Sequence, residues 1–127
     1  MLHLNHNDNK PIYQQIKHQI KHLILKDALK PDMKLPSVRE LSAHLAINPN
    51  TIQRAYRELE SEGYIYTIRA KGNFVAKIDN STLKKHCDNL FYSLDKTLIE
   101  LKNSGIGIDE IILRVNELYN KGGKNDD

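Results

Sequence analysis

The sequence has little cysteine, no tryptophan and no long apolar run. Its single cysteine, Cys87, cannot form an internal disulfide, which agrees with a reducing compartment. No stretch reaches the roughly 18 consecutive apolar residues of a transmembrane helix, and the opening MLHLNHNDNK lacks the apolar centre of a signal peptide. We therefore expect a soluble, cytoplasmic protein with no membrane partner.

Motifs for catalysis and for metal binding are also lacking. The chain has no Gly-rich phosphate loop, no nucleophile elbow and no pair of catalytic carboxylates, so we predict no enzymatic activity and no cofactor. His18 and His22 have the helical spacing that can hold a metal, with His3 and His6 near them in the chain. No cysteine or carboxylate joins them at ligand spacing, so no metal site is predicted.

Length and charge place the chain among small globular proteins. Its 127 residues suffice for one or two small domains, and 39% hydrophobic with 28% charged residues is an ordinary globular composition. Residues 1–78 hold 12 Lys and Arg against 7 Asp and Glu, whereas residues 79–127 hold 7 against 9. The basic first part suggests a polyanionic partner, although an asymmetry this small carries little weight alone.

The stretch 37–63, SVRELSAHLAINPNTIQRAYRELESEG, predicts two short helices joined by a tight corner. Ser37 and Glu40 form an S-x-x-E capping box at the start of the first helix. Asn48 can cap the second helix, and Gly63 supplies a left-handed stop. Such a pair is the helix-turn-helix pattern, whose second helix enters the major groove of DNA.

The second helix of the pair has an apolar stripe and a polar stripe on different faces. Arginine bonds guanine edges, while asparagine and glutamine bond adenine, so the polar stripe fits base recognition. A solvated face that touches no DNA is the alternative. Three glutamates in the last turns would repel phosphate, so only the first two turns are expected to enter the groove. The apolar stripe is Ile52, Ala55, Tyr56 and Leu59, the polar residues are Asn50, Thr51, Gln53, Arg54 and Arg57, and the glutamates are Glu58, Glu60 and Glu62.

A helix is predicted before this pair and a hairpin after it. Apolar residues at helical spacing run from about Pro11 to about Ala28. Two β-prone runs, 64–68 and 73–76, flank a short connection whose basic residues are Arg69 and Lys71. The hairpin is therefore interpreted as the wing of a winged helix that contacts the phosphate backbone or the minor groove. An ordinary hairpin that covers the core is the alternative.

Beyond residue 79 the spacing predicts two further amphipathic helices, separated by Asn103-Ser104-Gly105. Two such helices cannot form a core of useful size, so we expect them to pack against a second copy of the chain. Within this stripe Cys87 is interpreted as a small buried hydrophobe, with redox sensing as the alternative. The expected dimerisation residues are Leu83, Cys87, Leu90, Leu94, Leu98, Leu101, Ile111, Ile112 and Val115.

The predicted fold is mainly α with a small β-hairpin. It comprises a flexible arm at 1–9, a winged helix DNA-binding domain at 10–78, a helical dimerisation region at 79–121 and a disordered tail at 122–127.

Four motifs, in order and spacing, resemble the GntR family of bacterial repressors. They are KPIYQQI at 10–16, KLPSVREL at 34–41, NTIQRAYRELESEGYI at 50–65 and KGNFVA at 71–76. The short remainder is similar to that of the YtrA-like subfamily, whose two C-terminal helices serve dimerisation. The resemblance implies a repressor that binds a palindromic operator in double-stranded DNA as a homodimer.

The resemblance also implies roles for individual residues. Arg39 matches an arginine that contacts operator DNA in relatives, and Gly72 matches the wing glycine that approaches the minor groove. Asp27 and Asp32 stand where relatives often have glycine. Pro49 and Gln53 replace arginines that many relatives use, which leaves the base preference at those positions open. The positions matching the start of the recognition helix are Asn48, Asn50, Thr51 and Gln53, and we add Ser37, beside Arg39, to the expected DNA contacts.

Two alternatives stay open at this point. A winged helix can serve as a protein-interaction module without sequence-specific DNA binding. A small-molecule effector would have to use a pocket at the dimer interface or between the winged helix and the C-terminal helices, since little chain remains for a separate ligand-binding domain. The polar candidates there are Asn89, Tyr92, Ser93, Lys96 and Tyr119.

Overall fold

The computed structural model describes residues 2–125, with side chains to residue 121, and it is mainly helical with one small hairpin, as predicted. The described chain forms two compact units that divide after Leu83. The elements are α1 (Ile12–Leu25), α2 (Val38–Leu45), α3 (Pro49–Ser61), β1 (Ile65–Ile68), β2 (Gly72–Val75), α4 (Asn80–Asn103) and α5 (Ile108–Asn125).

The core of the first unit lies between α1, α3 and the hairpin, and α2 packs against α3. The predicted apolar stripe of α3 is buried, as are Ile16, Ile20 and Ile24 of the stripe on α1. Burying one large aliphatic side chain is worth roughly 1.5–3 kcal/mol relative to leaving it exposed. This packing, more than helix propensity, therefore stabilises helices as short as α2 and α3. The largest fully buried side chains are Tyr56, Tyr64, Ile16, Ile52, Leu59 and Val75.

Both helices of the pair begin with the caps that the sequence predicts. Ser37 Oγ accepts a hydrogen bond from the Glu40 N–H at 3.0 Å, and Glu40 Oε1 accepts one from the Ser37 N–H at 2.8 Å. Asn48 Oδ1 accepts a hydrogen bond from the Asn50 N–H at 2.8 Å. Each cap satisfies backbone donors that the first helical turn leaves unpaired, so the starts of α2 and α3 are fixed locally.

The stop of α3 also has the predicted geometry. Gly63 has a φ of 91°, its N–H bonds the Glu60 carbonyl at 3.1 Å, and the Tyr64 N–H bonds the Leu59 carbonyl at 2.9 Å. This is a Schellman motif. A Cβ on Gly63 would lie 3.0 Å from Thr82 Oγ1, so the first turn of α4 belongs to the first unit, which extends past the expected boundary at residue 78.

Left-handed backbone occurs at four described residues other than glycine. Asp27 and Asp32, with φ of 64° and 70°, stand where the resemblance indicates glycine in relatives. Aspartate tolerates this region because its short side chain can bond the local backbone. Ala46, in the corner between α2 and α3, and Ala70, in the hairpin loop, have φ of 56° and 68° without that compensation.

The segment just before α2 pairs with the edge of the hairpin as a third extended segment. The sequence did not predict this pairing. Lys34 forms an antiparallel bridge with Phe74, and the Leu35 N–H donates to the Asn73 carbonyl at 2.8 Å. The sequence does predict that this segment is extended, because a proline follows it. The pairing ties the start of α2 to the hairpin.

Residues 2–5 lie along α1, although a flexible arm is expected for residues 1–9. The side-chain amide of Gln19 accepts a hydrogen bond from the His3 N–H at 2.8 Å and donates one to the His3 carbonyl at 2.6 Å. The amide of Gln15 binds the N–H and the carbonyl of Asn5 in the same way, at 2.8 and 2.9 Å. The side chains of Leu2 and Leu4 pack against the core. Two glutamines one helical turn apart thus bind alternate residues of an extended segment. Met1 lies outside the described residues.

The second unit consists of the rest of α4, the turn after it and α5. Gly105, with a φ of 90°, lies in the turn, and the Ile106 N–H bonds the Leu101 carbonyl at 3.0 Å. This confirms the predicted break between the two helices. The backbone of α5 continues to Asn125, into the range 122–127 for which a disordered tail is expected. Residues 126 and 127 lie outside the described residues.

Candidate nucleic-acid interface

The outward face of α3 carries the polar residues expected to read DNA. Asn50, Gln53 and Arg57 are exposed, and Thr51 is half-buried next to Ile52, which is fully buried. Their side chains offer the amide and guanidinium groups that bond base edges in the major groove. The helix therefore separates a core face from a hydrogen-bonding face, and contact with DNA stays a prediction for each residue.

The start of α2 is held against α3 by a buried tyrosine. The Tyr56 hydroxyl donates to the Pro36 carbonyl at 2.7 Å, and only 2% of Tyr56 is exposed. Burial, and then the charge of Glu40, raise the pKa of Tyr56, so this hydroxyl remains a donor at physiological pH. The bond fixes the chain immediately before Ser37 and so positions the exposed Arg39 in the first turn of α2.

The wing has a three-residue loop, 69–71, with Arg69 and Lys71 both exposed. Gly72 is the first residue of β2, although the sequence places it in the connection. Its φ is 125°, and a Cβ there would lie 3.1 Å from Cε of Lys34. Lys34 thus crosses the wing beside its glycine, and it is a basic residue that sequence reasoning did not assign to the interface.

Side-chain contacts brace the hairpin. The rings of Tyr66 and Phe74 stack with centroids 5.6 Å apart, and the Tyr66 hydroxyl donates to Asp32 Oδ1 at 2.7 Å. Thr67 Oγ1 donates to Asn73 Oδ1 across the strands at 2.7 Å. Cross-strand pairs of this kind each contribute a few tenths of a kcal/mol up to about 1 kcal/mol, so the wing is a supported element with a basic tip.

The acidic end of α3 is neutralised by α1. Lys17 pairs with Glu58 at 3.0 Å and with Glu62, and Lys21 pairs with Glu62 at 3.0 Å. From the sequence alone, the glutamates were interpreted as charges that repel phosphate. Helical spacing alone does not show that α1 and α3 bring Lys17 and Lys21 next to Glu58 and Glu62.

This ion-pair network changes the titration of its members. The hydrogen bond from Lys17 lowers the pKa of Glu58. Burial alone would raise the pKa of Glu62, but hydrogen bonds from Lys17 and Lys21 outweigh it, and the net shift is downward. Burial likewise opposes the charged form of Lys17, and its bonds to both glutamates nevertheless raise its pKa. All three groups are therefore charged at neutral pH.

Arg54 is engaged by neighbouring protein groups, a feature that its place in the polar stripe does not reveal. Its guanidinium carbon lies 3.7 Å from the centroid of the Tyr13 ring on α1, and its Nε lies 3.3 Å from Glu58 Oε2. Tyr13 was missed by the sequence reasoning. The only available signal was its position one turn before Lys17 on the same helix.

The expected dimerisation residues present apolar surface in the single chain. Leu90 is 54% exposed, Leu94 and Val115 are each 46% exposed, and Cys87 is exposed as well. Leu98, Leu101 and Ile111 are half-buried. Over the part of the chain that the structure describes, no helix is long and apolar enough to cross a membrane. These stripes are amphipathic surfaces, and their role in dimerisation stays a prediction.

Three of the histidines considered at the sequence level, His3, His18 and His22, line one surface cavity beside α1. Among the described residues, no group of three or more His, Cys, Asp or Glu side chains is arranged to hold a metal ion.

Two capped helices around a tight corner, followed by a braced hairpin with a basic tip, define a winged helix-turn-helix of the DNA-binding type. Residues 12–75 match the family of bacterial regulatory proteins known as the gntR family. The chain is 36% identical over 130 residues to the HTH-type transcriptional repressor YtrA of Bacillus subtilis (strain 168), with all of both chains covered. This protein belongs to the GntR family of DNA-binding transcriptional regulators.

Solved structures agree with that assignment. A transcriptional antiterminator from Listeria monocytogenes EGD-e superposes with a TM-score of 0.79 at 34% identity, covering 94% of this chain and 90% of that one. The DNA-binding domain of AraR, solved in complex with operator ORR3, superposes with a TM-score of 0.51 at 32% identity, covering 58% and 89%. That DNA-bound structure covers little more than the winged helix.

Proposed function

We propose that this protein is a cytoplasmic repressor that binds a palindromic operator as a homodimer. The observation that carries the proposal is the combination, within one compact unit, of an outward hydrogen-bonding face on α3 and a basic wing tip. Arg39 at the start of α2 adds a third contact region, connected to the wing through Lys34. A regulator that reads DNA needs both kinds of group, because phosphate contacts set the register while base-edge contacts specify the sequence.

Dimerisation is inferred from α4 and α5. Among the described residues α4 buries no side chain, yet leucines recur along it at near-heptad spacing. An apolar surface of this kind in a soluble chain usually marks an interaction site. A two-fold dimer would present two recognition helices to half-sites about one helical turn of DNA apart, or a multiple of that spacing, and so would select a palindrome.

Selection of bound genomic fragments by the purified full-length chain tests the proposal. The expected result is enrichment of a shared inverted repeat, with sedimentation showing a dimer both free and bound. Binding without any shared sequence would leave only a general DNA-binding role. No DNA binding, together with capture of a protein partner, would favour the interaction-module alternative. Placing the selected operator between a promoter and a reporter distinguishes repression from activation.

A further inference from the structure

Arg54 and Tyr13 form a supported pair at the edge of the recognition surface. The guanidinium carbon lies over the aromatic ring, 3.7 Å from its centroid, and Nε donates a hydrogen bond to Glu58 Oε2. An arginine has five N–H donors, and these two contacts use the ring-facing side and one donor. The two terminal amino groups of the guanidinium remain for a ligand. The Arg54 side chain is 53% exposed.

Resting on the function proposed above, we propose that Arg54 binds a backbone phosphate of the operator and that Tyr13 is the positioning residue that holds it there. The tyrosine holds Arg54 against α1, whereas Asn50 and Gln53 are exposed on α3. Most protein–DNA hydrogen bonds go to phosphate and sugar oxygens, so we expect an arginine at the edge of a recognition helix to meet the backbone. A planar guanidinium matches two phosphate oxygens.

The surroundings on α1 agree with an anionic ligand at this edge. Lys10, Gln14, Lys17, His18 and Lys21 line a surface cavity on the same side of α1. Glu58 is the nearest carboxylate, and it already pairs with both Arg54 and Lys17. Lys10, Lys17, Lys21 and Arg54 together outnumber Glu58 and Glu62, so this edge keeps a net positive charge.

Ordering the Arg54 side chain before DNA binds lowers the entropic cost of binding. A free arginine side chain loses rotamer freedom when it docks on phosphate, and such ordering costs about as much as one good contact gains. The ring and Glu58 impose that order before DNA arrives. Tyr13 therefore acts on DNA affinity through Arg54, without touching the nucleic acid.

A double-mutant cycle on the full chain tests the pair. Tyr13→Leu keeps apolar bulk against the core but removes the aromatic face, whereas Tyr13→Phe keeps the face and serves as the matched control. Affinity is measured on the selected operator and on a scrambled duplex of equal length, over a range of salt concentrations. Thermal unfolding of each variant shows that binding is measured on folded protein.

We expect Arg54→Ala to weaken both duplexes about tenfold and to reduce the salt slope by roughly one. Tyr13→Leu should weaken both about three- to fivefold, Tyr13→Phe should bind like the parent, and Tyr13→Leu should have no further effect in the Arg54→Ala background. Equal effects of Tyr13→Leu in the two backgrounds, or none in either, would overturn the positioning role. A loss confined to the operator would mean that Arg54 reads a base. A parent chain that binds no DNA would overturn the function proposed above, and this inference with it.

Discussion

Replacing Glu62 by glutamine measures what the ion pairs between α1 and α3 contribute to folding. Glu62 is shared by Lys17 and Lys21, and its side chain is 34% exposed. Partly exposed ion pairs are each worth roughly 0.2–1 kcal/mol, so losing both costs roughly 0.4–2 kcal/mol. Glu62 also stands at the C-terminus of α3, where a negative charge opposes the helix dipole, and its removal returns about 0.3 kcal/mol. Glu62→Gln should therefore destabilise the protein by about 1 kcal/mol at pH 7.

The cost should disappear in acid. The folded-state pKa values of Glu58 and Glu62 lie below the ordinary value of 4.5. Carboxylates with lowered pKa values stabilise the fold above their unfolded pKa, and that stabilisation is lost as the pH falls through the folded pKa. The difference between parent and Glu62→Gln should thus hold from pH 7 to about 5 and shrink steadily below that.

Thermal unfolding at one fixed protein concentration, repeated from pH 7 to pH 3, is the assay. For a unit of this size, 1 kcal/mol corresponds to a change in Tm of about 4–8 °C. Glu60→Gln is the matched control, because Glu60 is exposed in the same turn of α3 and lies outside the ion-pair network. It should stay within about 0.5 kcal/mol of the parent. If Glu62→Gln matched Glu60→Gln at pH 7, or if its cost were constant down to pH 3, the network would not stabilise the fold.

Three further outcomes follow from the fold. Arg39→Ala should cost about 1–3 kcal/mol of operator affinity if Arg39 reads a guanine, whereas Lys71→Ala should weaken all duplexes alike and reduce the salt slope by roughly one. Parent-like binding by both variants would contradict the assigned surface. Ala70→Gly should raise stability by about 0.5–1 kcal/mol, because glycine adopts the left-handed φ without strain; a lower Tm would refute this. A fragment ending at Leu83 should remain folded and monomeric by sedimentation and bind the operator much more weakly, since the second half-site contact is no longer intramolecular. A dimeric fragment would place the interface in the winged helix.

Local chemistry explains why the helix pair could be predicted so closely. The capping box at Ser37, the cap at Asn48 and the glycine stop at Gly63 each depend on residues within a few positions of one another, and all three are confirmed. The apolar stripes of α1 and α3 are likewise read from spacing alone. Such features require no knowledge of which elements pack together.

Contacts between distant segments could not be predicted from the sequence, because they depend on which elements pack together. The bonds from Gln15 and Gln19 to residues 3–5, the pairing of Lys34 with Phe74 and the stack of Arg54 on Tyr13 join positions that are far apart in the chain. In the sequence none of these positions indicates its partner. Their partners are set by how distant segments pack against one another, and periodicity does not give that arrangement.

The packing of α1 against α3 also changes the charge that α3 presents to DNA. In the sequence alone, the three glutamates of α3 are unpaired negative charges, and their repulsion of phosphate limits how much of the helix can approach DNA. In the fold, Glu58 and Glu62 are matched by Lys17 and Lys21, so that end of α3 presents little net charge. We therefore expect α1, which packs against α3, to limit entry into the groove sterically. The first two turns of α3, which include Arg54, are then the part of the helix expected to meet DNA.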